Sequence, residues 1–313
     1  MFVYAGNDLA SYGFGNDHPF GPDRFFCFLQ AFKESGLDRK TLIQAPVAGN
    51  RGDLLLFHTP DYVQRVERLS KRGEGMLDAD TPVFSGIFEA GLIVVGTVLE
   101  AIQQIMDGHT RQAFIPIAGL HHARRDGSAG FCVFNDCAIA IEALRRRHSL
   151  QRIAYVDIDA HHGDGVYYAF EKDPELCIVD FHEDGRFLYP GSGGIHETGQ
   201  GPAAGSKMNI PLPPGADDAL FLNIWPKALH FIEQQNPEFI ILQCGADSIE
   251  GDPLTDLALT PAAHARVAGD LTRMVTAGNT RGLIALGGGG YNRDNLARTW
   301  VAVIDAMLAA ESS

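Results

Sequence analysis

The sequence predicts an α/β fold in which a central, mainly parallel sheet carries helices on both faces. Short, continuously apolar runs alternate with stretches of helical periodicity from end to end, the pattern of strands buried on both sides. The chemically active clusters His121-His122, Asp157 to Asp164, Asp247 and Tyr291 each follow one of those apolar runs. Open parallel sheets bind ligands beyond the carboxyl ends of their strands, so loops scattered over the chain are expected to converge on one rim.

Met1 to Ala5 reads as the first strand, and the polar segment Asn7 to Arg24 as a loop entering a helix that runs to about Ser35. Between Phe84 and Met106, the residues Ile87, Ala90, Gly91, Val94, Val98, Ala101, Ile102 and Ile105 keep the spacing of a long core-facing helix. The run Ala113 to Ile117 is a buried strand, followed by a polar, glycine-bearing loop from Gly119 to Gly130, and Asn135 to Arg147 returns to helix. Strands follow at Ile153 to Asp157, Leu176 to Asp180, Phe239 to Leu242 and Leu283 to Leu286. Helical patterns over Leu220 to Gln235, Pro261 to Ala277 and Asn295 to Ala310 complete the alternation.

With 313 residues, 45% hydrophobic and 20% charged, the chain is long enough for one large domain. Glycine and proline concentrate only in short turns such as Pro213-Pro-Gly, so a single domain over residues 1–313 is expected. Cys27, Cys132, Cys137, Cys177 and Cys244 form no Cys-x-x-Cys pair, which argues against a thiolate metal site. No stretch approaches the ~18 uninterrupted apolar residues of a membrane span, and Met1 leads into a strand rather than a basic and then apolar leader. The expectation is a cytoplasmic protein with reduced thiols. A net charge of -14 speaks against direct nucleic-acid binding and suits a cationic partner, such as a polyamine or a lysine-rich segment.

The stretch Tyr155-Val-Asp-Ile-Asp-Ala-His-His-Gly-Asp-Gly165 is a strand ending in a site: apolar residues pass directly into metal-binding side chains, and glycines then turn the backbone. If it stays extended, Asp157, Asp159 and His161 project from one face. A catalytic zinc commonly takes three protein ligands and keeps a position for water. Asp159, His161 and Asp247 are one such set, and spacing alone leaves Asp157 an equal candidate.

Adjacent His121-His122 are the natural proton-transfer groups, since imidazole titrates closest to neutrality, and Asp157 and Asp164 are carboxylates suited to orient them. Tyr291 follows four glycines, so a loop of small residues brings its phenol near a substrate, where it donates to a developing oxyanion. Gly287-Gly-Gly-Gly lacks the Lys-Ser/Thr of a phosphate-binding loop.

In this order, His121-His-Ala with Gly130-Phe-Cys, Asp157-Ile-Asp-Ala-His-His-Gly-Asp-Gly, Tyr189-Pro-Gly-Ser-Gly, Gly245-Ala-Asp-Ser-Ile-Glu-Gly-Asp-Pro-Leu and Gly287-Gly-Gly-Gly-Tyr-Asn resemble the motifs of the histone deacetylase superfamily, from about His18 to Trp300. Within it, the bacterial acetoin-utilisation and class I-like members are most similar, because Asp164 stands where class II members carry Asn. The resemblance implies a three-layer arginase/deacetylase-like fold and a zinc-dependent lysine deacylase. Asp159, His161 and Asp247 would hold zinc or ferrous iron. Asp157 would orient His121 and, with backbone carbonyls of Asp159, His161 and Phe181, bind a structural potassium ion. His122, paired with Asp164, would be general base and then acid, and Tyr291 would stabilise the oxyanion. A second monovalent-cation site is implied near Phe170, Asp173 and Leu176.

By the same resemblance, Gly130, Phe131 and Tyr189 sandwich the lysine stem and Leu254 walls the tunnel. Asp80 would grip substrate backbone amides at the rim, and Arg24 would line a product channel beneath the site. Three residues depart from the class I pattern: Leu120 replaces a usual Trp, Asp180 a usual Ser and Tyr189 a usual Phe. Acyl-lysine in protein or peptide is the expected substrate. The alternatives are an acetylated polyamine, a catalytically silent binder of acylated ligands, and an arginase-type ureohydrolase, for which Tyr291 has no role.

Overall fold

The computed structural model describes residues 1–15, 18–278 and 280–311; residues 16 and 17 of the loop expected between Asn7 and Arg24 lie outside them. Eight strands form one sheet in the order β2-β1-β3-β8-β7-β4-β5-β6, where β1 is Phe2–Tyr4, β2 Leu42–Gln44, β3 Gln112–Ile115, β4 Ile153–Asp157, β5 Leu176–Glu183, β6 Lys207–Leu212, β7 Phe239–Gln243 and β8 Leu283–Leu286. Every pairing is parallel. Strands β3, β4, β5, β7 and β8 are buried along their whole length, so their interiors read as apolar runs, while buried polar residues come toward their ends: Asp157 on β4, Asp180, His182 and Glu183 on β5 and Gln243 on β7.

Two groups of helices pack on this sheet. One gathers around α4 (Ile87–Met106) and α5 (Asp136–His148), with α2 (Arg51–Leu54), α3 (Pro60–Arg72) and α6 (Asp164–Ala169). The other comprises α1 (Asp23–Glu34), α7 (Asp218–Gln234), α8 (Pro261–Ala277) and α9 (Arg293–Glu311). The expected three-layer α/β architecture is present. Helix α4 is long and apolar enough to cross a membrane by length and composition, but 67% of its apolar window is buried, as befits a core helix.

Strands β2 and β6 and helices α2, α3 and α6 were not anticipated by the periodicity. Both strands lie at the sheet edges, where β2 is three residues long and exposes Leu42 and Ile43, and β6 contains Pro211 and alternates in the unusual sense, burying Lys207 and Asn209 while Met208 and Ile210 are half-buried. Helix α3 has only a narrow buried stripe, Tyr62, Val63, Val66 and Ser70, in an otherwise charged segment. Its signature is in the caps instead: the Thr59 side chain at the N-cap, Pro60 in the first turn and Gly73 in the left-handed conformation at the end.

Asn135, the N-cap of α5, ties that helix to the chemistry. Its side chain accepts the Ala138 N–H at 2.8 Å and donates to the carbonyls of His121 and Ala123 at 3.0 and 2.9 Å, while its own N–H donates to His58 Nε2 at 3.0 Å. Accepting at Nε2 requires neutral His58, and burial pushes its pKa down to about 4. An unfolded histidine titrates near 6.5, so on acidification the unfolded chain takes the proton first. The stability contribution is complete above that value and is lost as pH falls toward 4, by roughly 2 kcal/mol between pH 7 and 5. Calorimetry of His58→Gln, whose amide oxygen takes the same N–H, is expected to show a pH 7-to-5 drop in Tm smaller by roughly 4 °C than that of the parent protein.

Candidate active site

The rim chemistry comes from the loops after β3, β4, β5, β7 and β8, neighbours in the middle of the sheet. Strand β4 ends at Asp157, so the extended geometry expected through His161 stops four residues earlier. Beyond it, short side-chain turns take over: the Asp159 N–H donates to Asp157 Oδ1 at 3.1 Å and the His161 N–H to Asp159 Oδ1 at 3.0 Å. These turns separate the two aspartates that spacing could not tell apart. Asp157 faces Tyr155 and His121, whereas Asp159 and His161 face Asp247.

One donor atom each from Asp159, His161 and Asp247 lies within 4.8 Å of the others, a group suited to hold a metal ion. His161 Nδ1 is 3.0 Å from Asp159 Oδ1 and 3.1 Å from Asp247 Oδ2. Burial alone would lower the His161 pKa, but the bonds to Asp159 and Asp247 raise it to about 10. Burial, then the charge of Asp159, raises Asp247 to about 7. Two buried carboxylates thus converge on one point where a proton on His161 supplies positive charge, and two oxygens with one imidazole nitrogen fit a divalent cation there.

His121 and His122 are both buried, their Nε2 atoms 3.1 Å apart, and their Nδ1 atoms each lie 2.7 Å from a carboxylate: Asp157 for His121 and Asp164 for His122. Their charge states differ. Burial works against protonating His121, but Asp157 and then Asp159 raise its pKa to about 10; burial, then the charge of His121, pushes His122 down to about 4. His122 is therefore the neutral member, and it lines the cavity described next.

That cavity, about 240 Å³, is lined by Asp80, His122, Gly130, Phe131, His161, Leu188, Tyr189, Leu254 and Tyr291, so every expected substrate-wall residue is on it. The Tyr189 ring stands 5.2 Å from that of His122, and the Phe131 ring 5.9 Å from that of Tyr291. Phe131 holds a left-handed φ of 65°, unusual for an aromatic residue. Tyr12 braces it: the hydroxyl donates to the Phe131 carbonyl at 2.8 Å and accepts the Val133 N–H at 2.9 Å. At the rim, His18 Nε2 lies 3.3 Å from the Asp80 carbonyl and its ring 4.5 Å from that of Phe131.

Gly130 has φ 53°, and a Cβ there would lie 2.4 Å from the His122 ring. Gly130→Ala is expected to push His122 off Asp164 and cut kcat by about tenfold or more. Steady-state kinetics check this, and an unchanged kcat would show that the ring has room to yield.

Tyr291 donates its N–H to Asp252 Oδ2 at 2.7 Å, and Asp252 Oδ1 accepts the Leu254 N–H at 3.0 Å, so one carboxylate joins two cavity walls. Burial, then the charge of Asp247, raises the Tyr291 pKa well above the ordinary phenol value, so it remains an O–H donor. Beneath it, fully buried Arg24 donates from Nε to Gly290 O at 2.9 Å and from Nη2 to Gly288 O at 2.6 Å. Its Nη1 has no partner among the described residues. Leu120 is buried, and its N–H and that of Gly119 donate to Asp136 at 2.6 and 2.7 Å.

For the expected potassium site, Asp157 and Asp180 both approach the same face of Gly163: a Cβ there would meet Asp157 Oδ2 at 2.7 Å and Asp180 Oδ2 at 3.3 Å. Asp180, the residue in place of Ser, is held by His182 Nδ1 at 2.7 Å and the Gly163 N–H at 2.9 Å. Phe181 lies on β5 with its ring against Phe221 and Trp225 of α7. The second cation site, expected near Phe170, Asp173 and Leu176, needs correction. The carbonyls of Asp173 and Leu176 bind the ammonium of Lys207.

Sequence reasoning missed several supporting residues. Gln243 Nε2 donates to Asp159 Oδ2 at 2.8 Å and its Oε1 accepts the Gly245 N–H at 2.7 Å; Tyr155 donates its hydroxyl to Asp157 at 2.5 Å. Tyr155 could have been found from its place two residues before Asp157 on the same strand face. Gln243 ends a buried strand, and a polar residue there is itself a signal. Tyr12 and Asp136 act across the fold and leave no local mark, and Asp252, although it lies in the quoted Gly245-to-Leu254 motif, reaches the Tyr291 N–H 39 residues away, which no local pattern shows.

Known proteins share this arrangement of sequence and backbone. The histone deacetylase domain matches residues 18–307. The chain is 36% identical over 304 residues to the acetoin utilization protein AcuC of Bacillus subtilis, covering 93% of this chain and 77% of that protein. It is 35% identical over 302 residues to histone deacetylase B of Dictyostelium discoideum, covering 94% and 70%. The backbone matches the HDA15 HD domain with a TM-score of 0.89 over 98% of this chain and 91% of that one, at 24% sequence identity. Matched along nearly its whole length, the chain belongs to the histone deacetylase family of hydrolases.

Proposed function

We propose that the chain hydrolyses the amide of Nε-acetyl-lysine, or a related acyl-lysine, in protein or peptide substrates to free lysine and a carboxylate. The observation that supports this most directly is the narrow cavity, whose aromatic walls Phe131 and Tyr189 suit an aliphatic stem and whose floor is formed by His122, His161 and Tyr291. Asp80, which lines the same cavity, would accept N–H groups of a peptide backbone.

Asp159, His161 and Asp247 would hold zinc, or ferrous iron, which supplies Lewis-acid polarisation of the carbonyl and acidifies water. The residues do the rest. His122 donates Nδ1–H to Asp164, so its Nε2 carries the lone pair, which accepts the Nε2–H of charged His121 at 3.1 Å in the resting site and would take the proton of the attacking water, later giving it to the departing amine. Charged His121 adds a fixed positive field beside it. Tyr291 donates its hydroxyl to the oxyanion of the tetrahedral intermediate. The free Nη1 of Arg24 offers a charged donor to the departing carboxylate. A potassium ion at Asp157 and the carbonyls of Asp159, His161 and Phe181 would offset the two carboxylates that meet at Gly163.

A hydrolysis panel read by mass spectrometry tests the proposal, with zinc-loaded protein, acetyl-, butyryl- and longer acyl-lysine peptides, acetylputrescine and acetylspermidine. Cleavage of peptides is expected. Cleavage of the polyamines alone would move the substrate class to small cations, and no cleavage would defeat the assignment.

A further inference from the structure

Lys207 opens β6 and is 2% exposed. A buried ammonium is ordinarily matched by a carboxylate, but this one donates to three neutral oxygens: the carbonyls of Asp173 at 2.7 Å and Leu176 at 2.5 Å, and Ser206 Oγ at 2.8 Å. An ammonium has three N–H groups, so all are used. The nearest acid is occupied elsewhere. The Asp173 carboxylate pairs with Arg145 Nη1 and caps the Glu175 N–H at 3.1 Å, leaving only its main-chain oxygen to the lysine. Ser206 is turned the same way, its hydroxyl donating to Ala203 O at 2.7 Å so that a lone pair faces Nζ.

Main-chain carbonyls and a hydroxyl gathered round one point are the ligands that replace the hydration shell of a monovalent cation. Ammonium and potassium are nearly the same size. We propose that the oxygens of Asp173, Leu176 and Ser206 form a monovalent-cation site permanently filled by the chain's own Lys207. The side chain thus staples the α6–β5 loop to edge strand β6, and it does so independently of salt. Burial lowers the Lys207 pKa to about 8, which leaves it charged at neutral pH. The loop so held leads into β5, which carries Asp180, Phe181 and His182 at its far end.

The test is Lys207→Ala in the full, zinc-loaded chain, its Tm compared with that of the parent in buffers whose cation is choline, potassium, ammonium or methylammonium. In choline the variant is expected to melt roughly 5–15 °C below the parent, because three buried acceptors lose their donor. Ammonium or methylammonium is expected to restore at least half of that loss while leaving the parent unmoved by methylammonium. Cation effects of equal size in both proteins would overturn the proposal and leave Lys207 an ordinary buried brace. If the variant does not fold in any of these buffers, rubidium-soaked crystals of the parent decide. No anomalous peak at the three oxygens, with Nζ bonded to them, is expected; a rubidium ion there with the lysine displaced would refute it.

Discussion

Tyr291→Phe is expected to lower kcat for acyl-lysine hydrolysis by about 10²–10³-fold with little change in KM, the usual cost of deleting one oxyanion donor. The ring keeps its place against Phe131, with the Arg24 guanidinium 5.6 Å from its centre. The hydrogen bonds that hold Tyr291 to the described residues run through its main chain, to Asp252 and Arg293, and the substitution keeps them. Tm and bound metal should therefore match the parent, which separates this variant from one that merely unfolds. A fall in kcat below tenfold would place the phenol outside the chemistry.

Removing the metal is expected to produce the largest change in stability. Zinc at about 1,000 times its Kd adds roughly 4 kcal/mol, hence roughly 8–16 °C in Tm, and chelation should abolish turnover. Asp247→Asn should lose both the zinc-dependent rise and the activity. Without metal, however, this variant should melt roughly 2–5 °C above the metal-free parent. The reason is that Asp247 sits fully buried with Asp159, which helps raise its pKa to about 7, while an amide keeps the acceptor for the Ala160 N–H at 2.9 Å without the charge. Differential scanning fluorimetry with metal analysis reads both effects. A metal-free variant less stable than its parent would show that the carboxylate's bonds outweigh the repulsion.

Much of the architecture was legible because it is written locally. A strand buried on both faces is apolar through its interior, and a helix over a core must repeat its apolar face, so β3, β4, β5, β7, β8, α4 and α8 announce themselves. The helix expected over Pro261 to Ala277 is found as Pro261–Ala277. The order of clusters after strands likewise follows from parallel topology. Elements that pack by one narrow stripe or by an edge, such as α3 and β6, lack that redundancy, and only their caps or neighbours define them.

By itself, then, the sequence determined the parallel sheet, the residue types gathered at its carboxyl end and the candidate metal set. Spacing left Asp157 and Asp159 equal and only the family resemblance assigned them different roles; tertiary structure supplies the physical difference between them. Asp157 and Asp159 are two residues apart, yet one meets Tyr155 and His121 and the other His161, Gln243 and the Gly289 N–H, through contacts up to 130 residues away. Tertiary structure also decided that His122 rather than His121 is neutral, since charge state depends on burial and on carboxylates brought from other strands, and that Lys207 fills an oxygen cradle two of whose members lie 31 and 34 residues upstream. Periodicity reports only which face of an element is wet or dry. Charge, donor pairing and strain are properties of neighbours that come together only when the sheet closes.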